Sequence, residues 1–504
     1  MTFFGTGVRR VCAVVAASTA KQAARLVRLA LRETPTIELR LDWLRSDAER
    51  AAFLDWLRRN RLARRATLIA TCRRREGGGE FRGSPKAELS WLARARESGC
   101  RWCDLEIETQ RRLPKHALNS RHSLPKILLS LHRFDRTPSL SRSLPAAKGV
   151  DAVKIAAHAR TISDSVRILR LARKSKNLVA VPMGEVGLPA RLLALRQGSA
   201  LAYAPVAQAT APGQVSLAEL KHLYRAHQLT RRTRVYGVIA NPVSHSLSPL
   251  FHNSGFAARK LDCVYLPFLV KDLRDFVQAI PEFGIRGFSI TIPHKQSVLR
   301  YLDECDPLAS QIGAVNTVVV RPDGRLIGSN TDYLGVLRAL ESEMSLRGKR
   351  VLLFGAGGAA RAAAFALSQA GAHVFICARR ESAAKELARA AAAETIRRPL
   401  LKSASFDAII NTTPVGMNTL GVSPLAANEL NCRVVLDMIT RPLQTELLRI
   451  AARKHITAIP GIRMFFAQGI AQWELWTGHR APVHAMEAAV LRALRAEKPP
   501  RKRV

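Results

Sequence analysis

Lys154 is embedded among Val153, Ile155, Ala156 and Ala157. Taking a lysine out of water there favours its neutral amine, a nucleophile towards ketones. A structural lysine paired with Glu106 or Glu108 is the competing reading. His132 closes the preceding apolar run, KILLSLHR (126–133), where it can shuttle protons beside a Schiff base. Other polar groups end apolar runs in the same way: Glu38, Arg40 and Asp42 in TIELRLDWL (36–44), and Arg73 after the next run. Far downstream, RVLLFGAGGAARAAAFAL (350–367) joins a hydrophobic strand to an Ala-rich helix through a glycine turn. Gly355, Gly357 and Gly358 let backbone N–H groups at that helix N-terminus meet a pyrophosphate. With a second strand at AHVFICARR (372–380), the pattern predicts a dinucleotide site.

The elements that must carry Lys154 and His132 are short β-rich runs separated by amphipathic stretches. They are VCAVVAAS (11–18), TIELRLDWL (36–44), ATLIATCR (66–73), WCDLEIE (102–108), KILLSLHR (126–133), AVKIAAHA (152–159), LVAVPMG (178–184) and LAYAPV (201–206). A spacing of about 22 to 35 residues holds a strand, a crossover helix and two loops. Eight such units predict a (β/α)8 barrel, whose chemistry sits at the C-terminal strand ends. After HLYRAHQLTRRTRV (222–235), read as a last helix and a short basic linker, the pattern restarts. VYGVIANPVSHSLSPLFHN (235–253) reads as a strand, a Ser-rich loop and a helix start. The expected fold class is therefore α/β throughout: an N-terminal barrel, an α/β substrate domain and a Rossmann-type dinucleotide-binding domain.

A chain of 504 residues accommodates two to four domains. With 47% apolar and 23% charged residues it reads as globular, excluding a disordered or collagenous chain. No apolar run reaches the length of a membrane span. VCAVVAAS meets Lys21 and Arg25 directly and reads as a buried strand ahead of a signal peptide. The eight cysteines are scattered, and Cys100 and Cys103 have no second ligand pair, so no metal is expected. Free thiols and a cytoplasmic location are expected. The net charge of +40 is spread over both halves without an aromatic-interleaved basic motif. It reads as a solvated surface that also attracts anionic substrates, with no nucleic-acid or membrane partner expected.

The segments ELRLD (38–42), TCRRREGGGEFRG (71–83), SLHRF (130–134), VKIA (153–156), PMGEVGLPAR (182–191) and TAPGQ (210–214) resemble, in order, the type I 3-dehydroquinate dehydratases. The resemblance covers roughly residues 8–228, and the first domain is set at 1–228. It implies Lys154 as the Schiff-base lysine and His132 as general acid/base. Glu38, Arg40, Arg73, Arg191, Thr210 and Gln214 would hold the substrate's carboxylate and hydroxyls. Three departures stand out: Arg73 and Glu76 are three apart where the family spacing to its supporting glutamate is four, Ala190 replaces a serine, and Thr210 replaces another.

NPVSHSLSP (241–249), TIPHK (291–295), GAVNT (313–317), NTD (330–332) and NTTPVGM (411–417) resemble shikimate dehydrogenase. The second domain is set at 233–495, with substrate parts at about 233–335 plus C-terminal helices, a nucleotide part at about 345–465, and a basic tail at 496–504. This resemblance implies Lys295 and Asp332 as the catalytic pair, with Ser246 and Ser248 on the substrate carboxylate. Thr291, Asn316 and Gln468 would meet ring hydroxyls. Gly355, Ala356, Gly357, Gly358, Thr412 and Met417 would line the cofactor. The competing reading for the two serines is helix capping before Pro249. Thr440 stands where the family usually has tyrosine. The second nucleotide-fold strand ends in Arg379 and Arg380, and arginine there accommodates a 2′-phosphate, so NADP(H) is the expected cofactor. Together the two resemblances imply dehydration of 3-dehydroquinate to 3-dehydroshikimate and its reduction to shikimate. Two alternatives stay open: quinate as the second substrate, or a degenerate basic protein that binds anions or nucleic acid.

Overall fold

The computed structural model describes residues 4–113, 124–138, 150–174, 177–207, 213–417 and 421–496. Eight parallel strands form its first sheet: β1 (Val11–Val15), β2 (Thr36–Arg40), β3 (Thr67–Thr71), β4 (Trp102–Glu106), β5 (Lys126–Arg133), β6 (Ala152–His158), β7 (Leu178–Met183) and β8 (Ala202–Pro205). Their order is β7-β6-β5-β4-β3-β2-β1-β8, a nearly closed barrel. At the seam, Ala200 N–H donates to Leu178 O at 2.8 Å. Each predicted run therefore holds a strand. WCDLEIE does so only up to Glu106, because the helix Ile107–Arg112 starts immediately after it.

The crossover helices follow from local sequence. In Ala20–Glu33, Thr19 caps the N-terminus by accepting the Gln22 N–H at 3.3 Å. Ala23, Ala24, Val27 and Ala30 recur at helical spacing and are the residues it buries. The stretch read as a last helix is instead a single π turn, Glu219–Leu223, and a 3-10 turn, Ala226–Gln228. Arg225 between them, at a positive φ of 50°, interrupts helix propagation.

The second sheet comprises β9 (Arg234–Ala240), β10 (Cys263–Leu269), β11 (Ile285–Ile290), β12 (Glu304–Cys305), β13 (Thr317–Val320) and β14 (Leu326–Ser329), in the order β10-β9-β11-β13-β14-β12. β13 runs antiparallel to both β11 and β14. The third sheet is wholly parallel: β15 (Arg350–Phe354), β16 (His373–Cys377), β17 (Glu394–Thr395), β18 (Ala408–Asn411), β19 (Val434–Asp437) and β20 (Thr457–Pro460). Its order, β17-β16-β15-β18-β19-β20, is that of a dinucleotide-binding fold, in which ligands sit where the strand order reverses. Separate apolar clusters fill its two faces, one around Val351, Leu353 and Ile410, the other around Leu352, Phe354 and Ile409.

The chain forms two compact units, Met1–Val235 with Asp262–Ile285, and Tyr236–Leu261 with Arg286–Val504. Within the first, Asp275 accepts the N–H groups of Ile162 and Ser163 at 2.7 and 3.1 Å, neutralising the start of the helix Ile162–Lys174. Near that helix's other end, Glu282 pairs with Arg170 and Arg173 at 2.7 and 3.0 Å. No helix among the described residues is long and apolar enough to cross a membrane.

Two candidate active sites

In the barrel, Lys154 on β6 is 5% exposed and is met by carboxylates. Its Nζ donates to Asp104 Oδ2 at 2.9 Å and to Glu38 Oε1 at 3.3 Å, and stands 4.1 Å from the centre of the Tyr203 ring. The register explains the meeting. Ser130 lies opposite Lys154 on β5, Leu128 lies opposite Asp104 on β4, and alternate residues of a strand share a face. Asp104 also accepts from Ser130 Oγ at 2.6 Å and from Arg73 Nη2 at 3.2 Å. Burial opposes its ionisation, but Lys154, Arg73, His132 and the Ser130 hydroxyl outweigh it and hold the carboxyl well below the usual range.

The alternative partners for Lys154 do not pair with it. Glu106 accepts the Arg74 N–H at 3.1 Å, and Glu108 pairs with Arg133 at 2.9 Å. The flanking residues pointed to an apolar pocket, whereas the side chain enters a charged layer shared with Asp104 of β4 and Glu38 of β2. His132 lies in the same interior. Burial, then the charges of Arg73 and Lys154, push its imidazole well below the usual range. It is therefore neutral at pH 7 and able to take a proton.

The remaining predicted barrel residues divide by what they already hold. Glu38 accepts from Thr71 Oγ1 at 2.9 Å. The fork of Arg40 is taken by Asp42, at 2.9 and 2.6 Å. Arg191 donates twice to Pro182 O, at 3.0 and 2.8 Å, and once to Gly213 O at 3.2 Å. Burial pushes Arg191 down to about 10, and among the described residues no carboxylate pairs with it. A buried guanidinium in this state gains from an arriving carboxylate. Gly213 sits at a φ of +73°, where a Cβ would stand 2.5 Å from Gly184 O, and half-buried Gln214 follows it. Thr210 lies outside the described residues.

In the second site Lys295 Nζ donates to Asp332 Oδ2 at 2.5 Å. Asp332 opens the helix Asp332–Glu341, and its other oxygen accepts from Asn316 Nδ2 at 2.9 Å. Asn316 Oδ1 accepts the Thr331 N–H at 2.8 Å, and Asn330 Nδ2 donates to Ala314 O at 2.8 Å. The antiparallel β13–β14 pair thus sets Asn316 beside the NTD turn, and Val315 N–H ties the same segment to Lys295 O at 2.8 Å. Thr291 follows β11, four residues before Lys295, and its N–H donates to Ile239 O at 3.2 Å. The serines do not cap the helix Ser248–Ala258 from its N-cap, Leu247. Ser246 Oγ instead accepts the Ser248 N–H at 3.3 Å. Gln468 donates to Phe465 O at 3.0 Å within the helix Gly461–Thr477. One turn on, the buried Gln472 bonds Asn316 O and Thr317 Oγ1 at 3.3 and 3.0 Å, a support that sequence reasoning missed.

At the end of β15 a cleft of about 1360 Å³ opens over the glycine turn. Gly355, Ala356, Gly357, Arg379, Arg380 and Thr412 line it. Gly358 and Met417 are not among its lining residues. Gly355 has a φ of +125°, and a Cβ there would stand 2.3 Å from Thr412 Oγ1. Around Gly357 and Gly358 a Cβ would meet nothing, which leaves room for a diphosphate at the N-terminus of the helix Gly358–Gln369. Arg397 and Lys385 add cations to the same cleft. Arg397 comes from the segment after β17, a position that the local spacing of the β16 end did not reveal. These residues fit a dinucleotide with an additional phosphate.

The folds and sites together define a lysine-centred barrel lyase joined to a dinucleotide-linked oxidoreductase. Residues 11–231 match the type I 3-dehydroquinase family, 238–318 the shikimate dehydrogenase substrate binding domain, and 461–491 the shikimate 5′-dehydrogenase C-terminal domain. The chain is 33% identical over 474 residues to a chloroplastic bifunctional 3-dehydroquinate dehydratase/shikimate dehydrogenase of Arabidopsis thaliana, covering 88% of this chain and 78% of that one. It is 43% identical over 274 residues to a shikimate dehydrogenase (NADP(+)) of Bacillus anthracis, covering 52% of this chain and 99% of that one. A crystal structure of shikimate dehydrogenase in complex with NADP+ superposes with a TM-score of 0.50 at 35% identity, over 53% of this chain and 98% of the other. The chain belongs to the bifunctional 3-dehydroquinate dehydratase/shikimate dehydrogenase family.

Proposed function

We propose that this chain dehydrates 3-dehydroquinate to 3-dehydroshikimate at the barrel and reduces that product to shikimate with NADPH at the second site. The observation that carries the reading is Lys154, buried in a barrel strand between two carboxylates with a neutral histidine close by. Lys154 gives up a proton to solvent and attacks the C3 ketone, and the adduct loses water to give an imine. The imine draws electrons from C2, whose proton is lost to a general base. His132, having taken the C2 proton as that base, delivers it to the C1 hydroxyl, which departs as water, and hydrolysis of the imine frees the lysine. One water is lost overall. Arg191, which pairs with no carboxylate among the described residues, holds the substrate carboxylate, with Gln214 following its acceptor Gly213.

At the second site the ketone lies between Lys295 and the cofactor cleft, its carboxylate on Ser246 and Ser248. NADPH, when bound, supplies a hydride to the ketone carbon. Lys295 gives the oxygen its proton, Asp332 holds and recharges Lys295, and Asn316 fixes Asp332. Gly355, Ala356 and Gly357 receive the diphosphate, while Arg379 and Arg380 receive the 2′-phosphate. Free cysteines at all eight positions fit a reducing compartment such as the cytoplasm. The excess positive charge favours encounter with these anionic substrates.

A coupled assay with 3-dehydroquinate and NADPH tests the whole reading. 3-Dehydroshikimate and then shikimate are expected, and the formation of neither rejects it. His132→Ala leaves the borohydride-trapped imine intact but lowers dehydratase turnover by about 10² to 10⁴-fold. Loss of trapping in that variant, or unchanged turnover, contradicts the role given to His132. Arg379→Ala lowers kcat/KM for NADPH by about tenfold or more and leaves that for NADH nearly unchanged, since one charge-assisted bond contributes about 1.5–3 kcal/mol. Equal use of both cofactors by the wild type defeats this assignment.

A further inference from the structure

The helix Gly461–Thr477 buries Ile462, Phe466, Ala471, Trp473 and Trp476 and, among them, the amide of Gln472, which is 2% exposed. A buried amide costs free energy unless its groups are bonded. Its Nε2 donates to Asn316 O at 3.3 Å, but that carbonyl already accepts the Ile290 N–H at 2.7 Å. The shorter bond of Nε2, at 3.0 Å, goes to Thr317 Oγ1. What the glutamine adds there is a direction. An amide NH2 only donates, so the Thr317 hydroxyl must accept from it and place its single proton elsewhere. That proton goes to Asn316 Oδ1 at 2.7 Å. The alternative acceptor, Thr331 Oγ1, lies farther off at 3.4 Å.

Asn316 Oδ1 also accepts the Thr331 N–H at 2.8 Å, so two donors mark this end of the amide as its oxygen. The opposite end is then NH2, and it faces Asp332 Oδ1 at 2.9 Å, while Asp332 Oδ2 holds Lys295. Turned over, the amide would set its oxygen against that carboxylate and its NH2 against the Thr331 N–H, acceptor on acceptor and donor on donor. Thr317, Asn316 and Thr331 are all buried, so bulk solvent does not supply the direction instead. Three side-chain bonds in series, from Gln472 to Thr317 to Asn316 to Asp332, therefore run in one sense towards the carboxylate.

We infer that Thr317 and Gln472 are positioning residues of the reductase site: the glutamine orients the Thr317 hydroxyl, the hydroxyl fixes the amide of Asn316, and the amide holds Asp332 in line with Lys295. The inference rests on the reductase reading above and deepens it. Proton transfer by Lys295 requires its partner in one orientation. The relay supplies that orientation from β13 and from the helix Gly461–Thr477, elements far in sequence from both Lys295 and Asp332. A buried polar chain of this kind fixes one arrangement only while every member is bonded.

Three variants of the full chain test it, assayed with 3-dehydroshikimate and NADPH. Thr317→Val keeps the branched shape and removes the hydroxyl, Thr317→Ser keeps the hydroxyl, and Gln472→Met keeps the unbranched length and removes the amide. Thr317→Val and Gln472→Met are each expected to lower kcat about fivefold or more, with KM for both substrates within about threefold. Thr317→Ser should return kcat to within about twofold of wild type. Combining Thr317→Val with Gln472→Met should slow the enzyme little beyond the slower single variant, because the relay acts as one unit. NADPH binding, followed by its fluorescence, serves as the measure of folding. If Thr317→Val no longer binds NADPH, Gln472→Met decides, since it leaves Thr317 in place. Wild-type kcat in either folded variant overturns the inference, as does a serine variant as slow as the valine one, which would trace the defect to packing. A wild-type chain that does not reduce 3-dehydroshikimate instead overturns the reductase reading on which the inference rests.

Discussion

Replacing Lys154 with alanine should abolish dehydration while leaving the reduction of added 3-dehydroshikimate at its wild-type rate. The loss is expected to reach at least about 10³-fold, since the variant forfeits both the covalent electron sink and the orientation that it imposes. The side chain is 5% exposed and its ammonium is the shared partner of Asp104 and Glu38, so its removal also leaves two buried carboxylates facing each other. Lys154→Arg, which keeps a cation between the two carboxylates but has no amine nucleophile, separates the chemical loss from this electrostatic effect. Borohydride with 3-dehydroquinate should add one ligand mass to the wild type at Lys154 and none to either variant. Residual dehydratase activity above about a thousandth of wild type would refute the imine mechanism.

The second large effect is expected at Lys295 and Asp332, whose contact of 2.5 Å is the centre of the reductase site. Lys295→Ala and Asp332→Asn should each lower the reduction rate by about 10² to 10⁴-fold, as for other general acid/base groups. Asp332→Asn keeps the volume and leaves Asn316 Nδ2 an acceptor at the amide oxygen, so its defect reads out charge. With 3-dehydroquinate and NADPH, either variant should accumulate 3-dehydroshikimate at the wild-type rate of dehydration. Shikimate formed at more than about a tenth of the wild-type rate by Lys295→Ala would remove it from the proton path. The double variant should lose little beyond either single one, because two groups that act on one proton are not additive.

What was legible beforehand had a local signature. A lysine amid Val, Ile and Ala on a strand has few explanations, and a glycine turn between a strand and a helix has a mechanism attached. Asp104 had no such signature. It sits in WCDLEIE, and only the pairing of β4 with β5, and of β5 with β6, shows that it, and not Glu106 or Glu108, meets Lys154. Arg40 and Arg191 read alike as carboxylate binders, yet one fork is filled by Asp42 and the other grips backbone carbonyls. That difference is tertiary. Gln472 was missed because it acts across elements far apart in sequence, and Arg397 because it enters the cleft from beyond β17.

The discontinuity of the first compact unit has a consequence for synthesis on the ribosome. When residue 235 emerges, all eight barrel strands exist, but Asp275 and Glu282 do not. The Ile162 and Ser163 amides and the guanidinium groups of Arg170 and Arg173 then face water instead of their carboxylates. At about 5–20 residues per second, roughly 2.5 to 10 seconds pass before the segment 262–285 is translated. A nascent chain stalled at 235 should therefore be cleaved by protease at the ends of the helix Ile162–Lys174 more readily than one stalled well beyond 285. The barrel matures in two instalments, the second delivered by chain that lies past its own last strand.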